Sequence, residues 1–290
     1  MTKRIKQYII ALSNQKGGVG KTTITRLLGH ILAFLGKKTL LIDTDPQANL
    51  TKSLIDSDTS TGLSTSEPGL YESLTGSEYD VIEVIPNLFL LAGSIRLASL
   101  EKTLIGELDA YTRLKELLEE MLFDEFNYIL IDTPPSLGAL TINALTASQY
   151  LIAPLNPAIY SLQGTNDLMA TVAKVKKNLN PDLSFLGVIV NAYDSHPVIT
   201  RQIREEIVSS FGDKVFRTTL SRSVKVEEAL AARRGLVRGE SKVGDEIAAI
   251  GEELVERVEG RVQGRGSRDE DRGKPDPRTA ILDPKSPEGL

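Results

Sequence analysis

A doubly wound α/β fold, with one mostly parallel sheet and helices on both faces, is predicted by three observations. Apolar runs of strand length alternate with helical patterns along most of the 290 residues. Those runs are nearly continuous in apolar residues, as strands covered on both faces are. The first run leads directly into a glycine-rich loop and then a helix, the setting a phosphate site requires.

The elements follow in order. Tyr8-Ile9-Ile10-Ala11-Leu12 is the first strand, and a helix is expected over residues 21–35, stopped at Gly36. Thr39-Leu40-Leu41-Ile42 is the second strand, closing in Asp43-Thr44-Asp45-Pro46. Residues 51–76 are rich in Ser, Thr and Gly with weak periodicity, so only short helix is expected there. Residues 88–92 read as a strand, and 112–122 as a helix with Leu114, Leu117, Leu118 and Met121 on one face. Tyr128-Ile129-Leu130-Ile131 is a strand ending at Asp132, and residues 150–153 and 186–190 are further buried strands with helices between. One domain is expected over residues 1–260. From Arg261 the chain turns rich in Gly, Pro and mixed charge, without aromatic residues, and a disordered tail is expected over 261–290.

Composition excludes several classes. The apolar fraction of 41% supports a sizeable core. Cysteine is absent, which removes disulfides, thiolate metal sites and cysteine nucleophiles. The two histidines are His30, expected to pack within a helix, and His196. A net charge of −5 gives no global attraction to nucleic acid, though a local basic patch is compatible with it. The start is basic, but residues 8–12 are too short for a signal h-region, and no run approaches the ~18 apolar residues of a membrane span. A cytoplasmic protein is expected.

The chemistry lies in three loops. Asn14-Gln15-Lys16-Gly17-Gly18-Val19-Gly20-Lys21-Thr22-Thr23 is a phosphate-binding loop that lacks the first glycine of Gly-x-x-x-x-Gly-Lys-Ser/Thr and adds a second lysine, Lys16. Gly17, Gly18 and Gly20 let backbone N–H groups, with that of Val19, face phosphate oxygens, and the following helix start favours an anion. Lys21 is expected on the β/γ-phosphates and the Thr22 hydroxyl on Mg²⁺. Asp43 and Asp45 follow the second strand, and Asp132 ends another. Ligands of open α/β sheets bind beyond the carboxyl ends of strands, so the three loops should converge, with carboxylates near a magnesium nucleotide. Either aspartate of the first pair, taken alone, could equally be a turn residue or a helix cap.

Together these stretches resemble the ParA/MinD family of deviant-Walker ATPases, in particular its ParA (Soj-like) partition branch. The resemblance rests on the phosphate loop, on Asp43-Thr44-Asp45-Pro46-Gln47-Ala48-Asn49-Leu50-Thr51 and on Ile131-Asp132-Thr133-Pro134-Pro135, and it runs from Ile10 to about Val258. It implies ATP and Mg²⁺ as ligands and an ATP-bound sandwich homodimer in which Lys16 reaches the partner's nucleotide, as an arginine finger supplied in trans would. It implies that Asp45 positions the hydrolytic water, that Asp132 takes the Walker B place near Mg²⁺, and that Thr23 belongs to the nucleotide loop. Asn191 matches a position that faces adenine, although an Asn ending a strand is as often a turn residue. Where the family carries Pro-Arg-Asn near the base, this chain has Ser221-Arg222-Ser223, so a base contact would fall to Ser223 or to backbone groups.

The partition branch further implies non-specific DNA binding by the dimer. Arg201, Arg217, Arg222 and Lys225, with Arg204, Arg233 and Arg234, supply candidate phosphate contacts, interrupted by Glu205, Glu206, Glu227 and Glu228. The expected function is partition of plasmid or chromosome DNA over the nucleoid, with slow ATP hydrolysis stimulated by a ParB-like or cargo-adaptor partner; a protein cargo is the alternative. Membrane cycling of the MinD kind is disfavoured, because the last helical stretch, residues 245–258, carries Glu246, Glu252, Glu253 and Glu256 and only Arg257 as a base. Cluster-bearing relatives use cysteines that this chain lacks, and no helix-turn-helix segment precedes Tyr8.

Overall fold

The computed structural model describes residues 6–55, 68–120, 125–157, 161–192, 194 and 198–265. Strands β1 (Tyr8–Leu12), β2 (Thr39–Asp43), β3 (Ile82–Ile85), β4 (Leu88–Leu91), β5 (Tyr128–Asp132), β6 (Tyr150–Leu155) and β7 (Ser184–Val190) form one sheet. Their order is β3-β4-β2-β5-β1-β6-β7, and every neighbouring pair is parallel except β3–β4. The described helices are α1 (Lys21–Phe34), α2 (Asn49–Leu54), α3 (Leu70–Leu74), α4 (Leu97–Thr103), α5 (Arg113–Leu118), α6 (Ala139–Ala147), α7 (Ser161–Asn178), α8 (Val198–Phe211), α9 (Val224–Ala231) and α10 (Lys242–Arg265).

The near-continuous apolar strands have the cause expected of them. Successive side chains of a strand point to opposite faces, and here both faces are covered. Ile10, Leu12 and Leu41 meet α1 and α10 through Leu28, Ile31, Ile247 and Leu254. Ile9, Ala11, Leu40 and Ile42 meet the helices of the other face through Leu100, Leu117, Leu145 and Val172. α8 closes the β7 edge, with Ile203 and Ile207 against Val188 and Val190. The last helix is tied to the first half of the chain by Glu259, which accepts from Lys37 Nζ at 3.0 Å and from the Tyr128 hydroxyl at 3.1 Å.

Four elements, β3, α4, α8 and α9, have no counterpart in the sequence analysis. β3 is a short antiparallel edge strand, Ile82-Glu83-Val84-Ile85, in which only Ile82 is buried. α4 exposes most of its polar residues and buries just Leu97 and Leu100. The stretch expected to be irregular holds α2 and α3 at its ends, and residues 56–67 lie outside the described set. α5 is shorter than expected and buries Leu114, Leu117 and Leu118 as read, with Met121 outside the described residues. α10 is longer at both ends and runs to Arg265, past the expected boundary at 260; the expected disorder beyond it falls on residues 266–290, which are not described.

α1 also buries two polar side chains. Arg26 is 0% exposed, and its Nη2 donates to the carbonyls of Ala229 and Arg234, each at 3.3 Å. His30 packs as expected of a helix residue, with Nδ1 2.9 Å from the Arg26 carbonyl, so this nitrogen carries the proton. Burial pushes the His30 pKa down to about 4, helped by the Arg26 charge and opposed by that hydrogen bond.

A depressed histidine pKa makes stability depend on pH. Between its unfolded pKa near 6.5 and the folded value, only the unfolded chain gains the proton, so stability falls as pH drops through this window. Urea unfolding at pH 7 and pH 5 should show the unmodified chain losing on the order of 2 kcal/mol more than His30→Leu does. Equal losses in the two proteins would refute the assignment.

Candidate nucleotide site

The site forms where β1, β2 and β5 end level with one another. Leu12 is the register partner of Asp132, and so is Asp43. The turns after these three strands therefore open side by side at the carboxyl edge of the sheet.

The phosphate loop is held from behind by two asparagines. Asn14 Nδ2 donates to the Pro154 carbonyl at 2.8 Å, and Asn14 Oδ1 accepts the Lys16 N–H at 3.0 Å. Asn191 Nδ2 donates to the Val19 carbonyl at 2.9 Å, and the Asn191 N–H donates to Leu155. Gly20 has φ of 88°, and a Cβ there would lie 1.9 Å from Asn191 Nδ2. At Gly17 and Gly18 the same test meets open space, which leaves the outer side of the loop clear for an anion. Asn191, expected to face a base, is buried, and its hydrogen bond to Val19 ties its side chain to the loop.

Beyond the loop, α1 brings Lys21, Thr22 and Thr25 against Asp132. The Thr22 hydroxyl donates to Asp132 Oδ2 at 2.7 Å, and Thr25 donates to the Lys21 carbonyl at 2.9 Å. Thr23 stands partly exposed beside them. Lys21 is buried, and burial lowers its pKa, while Asp132 and Asp45 oppose the fall. Asp132 is 0% exposed, and burial raises its pKa well above the usual range, with the Asp43 charge adding to the rise. Asp43 is pushed up to about 6, first by burial, against the hydrogen bonds it accepts.

Those hydrogen bonds shape the second loop. Asp43 Oδ2 accepts from the N–H and the hydroxyl of Thr51, both at 2.8 Å, and Oδ1 accepts the Asp45 N–H at 3.2 Å. The Thr51 hydroxyl in turn accepts the Gly93 N–H at 2.9 Å. Thr44 donates its hydroxyl to the Asp132 carbonyl at 2.6 Å. Asp45 is 7% exposed, and its Oδ1 accepts the Gln47 N–H at 2.9 Å. Asp43 is thus a support for the Asp45 turn, and Thr44, Thr51, Asn14 and Thr25 are supports that sequence reading left unassigned. Hydroxyl and amide side chains next to acidic loop residues were the available signal.

Asp132 and Asp45 act on Lys21, and Asp43 acts on Asp132, so three acidic side chains and one lysine share a buried setting that disfavours unpaired charge. An anion-accepting loop, a cation-accepting hydroxyl–carboxylate pair and those acidic side chains fit a magnesium nucleotide. Thr22 and Asp132 would hold the metal, and Lys21 with the loop N–H groups would hold the phosphates. Lys16 is half-buried beside the loop, and its ammonium has no ion pair among the described residues.

The expected base-side and basic residues are distributed unevenly. Ser223 caps α9, accepting the Lys225 N–H at 3.2 Å, and Glu246 of α10 accepts the N–H and hydroxyl of Ser221, both at 2.7 Å. Arg217 is paired with Glu256 and with Glu253, the latter at 3.4 Å, and Lys225 is paired with Glu228 at 2.8 Å. Arg201 and Arg222 are exposed and have no carboxylate partner among the described residues. The four expected DNA contacts therefore divide into two matched and two unmatched cations. His196 lies outside the described residues.

Comparison with known proteins places this geometry. The family described as an AAA domain matches residues 7–185. The chain is 41% identical over 228 residues to the sporulation initiation inhibitor protein Soj of Bacillus subtilis, covering 76% of this chain and 87% of that protein. It is 40% identical over 220 residues to the chromosome-partitioning ATPase Soj of Treponema pallidum, covering 74% of this chain and 83% of that protein. Among solved structures, the cobyrinic acid a,c-diamide synthase of Mycobacterium smegmatis, with bound ADP and magnesium, superposes with a TM-score of 0.75 at 28% identity, covering 88% of this chain and 96% of that one. That protein is named for a different reaction, as expected when one fold hosts several chemistries.

The contact between Gly20 and Asn191 yields a direct test. Gly20→Ala should weaken ATP binding at least about tenfold in calorimetric titration with Mg²⁺, ~1.4 kcal/mol. Adding Asn191→Ala removes the clash but not the left-handed backbone cost of ~1–2 kcal/mol, so the double variant should remain weaker than the unmodified chain. Full recovery would show that backbone conformation at Gly20 is immaterial.

Proposed function

This chain belongs to the Soj/ParA family of partition ATPases, and from that premise we propose that it is an ATP-switched DNA-positioning protein. In this reading ATP and Mg²⁺ close a sandwich dimer that grips DNA without sequence preference over the nucleoid. Hydrolysis, stimulated by a ParB-like or adaptor partner, releases it. The observation that carries the reading is Lys16: a second lysine at the phosphate loop with no ion pair among the described residues, beside a site already furnished with Lys21.

The chain's own residues supply the chemistry as follows. Backbone N–H groups of Gly17 to Thr22 and the Lys21 ammonium bind the phosphates, as helix N-termini and nests do. Thr22 and Asp132, already hydrogen-bonded to each other, hold the metal side. Mg²⁺, when bound, neutralises charge on the phosphate oxygens. Asp45 is fixed by its turn next to Lys21 and orients the attacking water, and Lys16 acts on the partner subunit's nucleotide. Arg201 and Arg222 lead the phosphate contacts, since no carboxylate has to be displaced from them, whereas phosphate must displace Glu228 from the weak exposed pair it makes with Lys225.

α10 argues against a lipid surface. Its apolar residues Ile247, Ile250, Leu254 and Val258 are buried in the core. Among the described residues no helix is long and apolar enough to cross a membrane.

Two measurements decide the reading. Lys16→Ala should abolish ATP-induced dimerisation in light scattering, and unchanged dimer formation would remove its role in trans. ATP-loaded Asp45→Ala should bind random duplex and lose about tenfold or more in affinity as salt rises from 50 to 200 mM. Nucleotide-independent or sequence-dependent binding would overturn the partition mechanism.

A further inference from the structure

We infer that Arg26 is a positioning residue that couples the phosphate-loop helix to an arginine turn at the end of α9, and so sets how Arg233 and Arg234 meet DNA phosphates. The inference rests on the DNA-binding reading above. Arg26 lies on α1 one turn beyond Thr22 and reaches across to α9.

The turn it reaches has an unusual residue in it. α9 ends at Ala231, and the chain closes a C-terminal cap in which the Arg234 N–H donates to Ala229 at 3.0 Å and the Arg233 N–H to Leu230 at 3.1 Å. This is the Schellman pattern, whose left-handed position glycine usually fills. Here Arg233 fills it with φ of 49°. The Arg26 guanidinium donates to two carbonyls of the same turn, Ala229 and Arg234, at the negative end of the α9 dipole. His30, one turn further along α1, underlies Gly235, where a Cβ would lie 2.8 Å from its ring. Two successive turns of α1 thus form the floor under residues 229–235.

Packing alone does not account for an arginine here. Its Nε and Nη1 have no partner among the described residues, and an aliphatic side chain would avoid leaving buried donors unmatched. Burial, with a smaller effect from Arg233, lowers its pKa to about 10, so it remains a cation at neutral pH. The two like charges act on each other, which favours Arg233 turning outward. Both Arg233 and Arg234 are exposed, and the Arg234–Glu240 pair at 3.6 Å is open to solvent, where ion pairs are weak and readily exchanged for phosphate.

The test uses the full chain with two readouts, amide exchange over residues 230–236 with and without ATP and Mg²⁺, and random-duplex binding. In the unmodified chain, nucleotide should change exchange in this segment at least about threefold. Arg26→Met should erase that response and weaken duplex binding about tenfold or more, with ATP affinity held within about twofold. Arg26→Lys, which keeps the charge, should recover part of both. A merely structural role would lower the melting temperature without uncoupling exchange from nucleotide. The inference is overturned if Arg26→Met keeps the nucleotide response and the duplex affinity, or if the unmodified segment ignores nucleotide. Should Arg26→Met not fold, Arg26→Gln is read against the same outcomes. An exchange response without any duplex binding would sink the DNA reading and leave the coupling standing.

Discussion

Asp43 and Asp132 end neighbouring strands in direct register, and neither is exposed to water. Two carboxylates so placed repel, and burial disfavours the charge on both. The surrounding structure is organised around that cost. Thr51 and the Asp45 backbone are drawn onto Asp43, Thr22 onto Asp132, and Lys21 inward from the start of α1. The geometry that burdens the unliganded fold is also what makes the site select a metal-borne polyanion: a cation relieves the carboxylates while the glycine loop takes the phosphates.

Much of this was legible in the chain. The parallel sheet could be read because β1, β2, β5 and β6 are buried along their whole length, and their apolar runs are unbroken. β3 escaped although Ile82, Val84 and Ile85 are apolar, because it is only four residues long and pairs on one side alone. The phosphate loop was legible because its spacing is local. Asn191 was harder: its partner Val19 is 172 residues away, and a pairing at that distance leaves no trace in local pattern. The same holds for Thr51 and Gly93, which brace the Asp43 turn from two different segments.

Charge told a similar story at the surface. A run of arginines and lysines reads as a basic patch until the fold supplies their partners. Glu253 and Glu256 lie on α10, far from Arg217 in sequence, yet they neutralise it. α10 thereby sorts the basic residues into structural and available ones. It also pins the Ser221 turn through Glu246, so one helix sets both the shape of that turn and the charge that remains exposed.

That dependence on α10 has a consequence during synthesis. Lys37, just past α1, and Glu259, in α10, are 222 residues apart in the chain. At ~5–20 residues per second, a ribosome takes roughly 10–45 s to make the intervening segment. Throughout that interval the apolar side of α1 lacks its cover, although the phosphate loop has already been made. The nascent chain therefore carries a complete nucleotide motif on an incomplete fold until α10 is made.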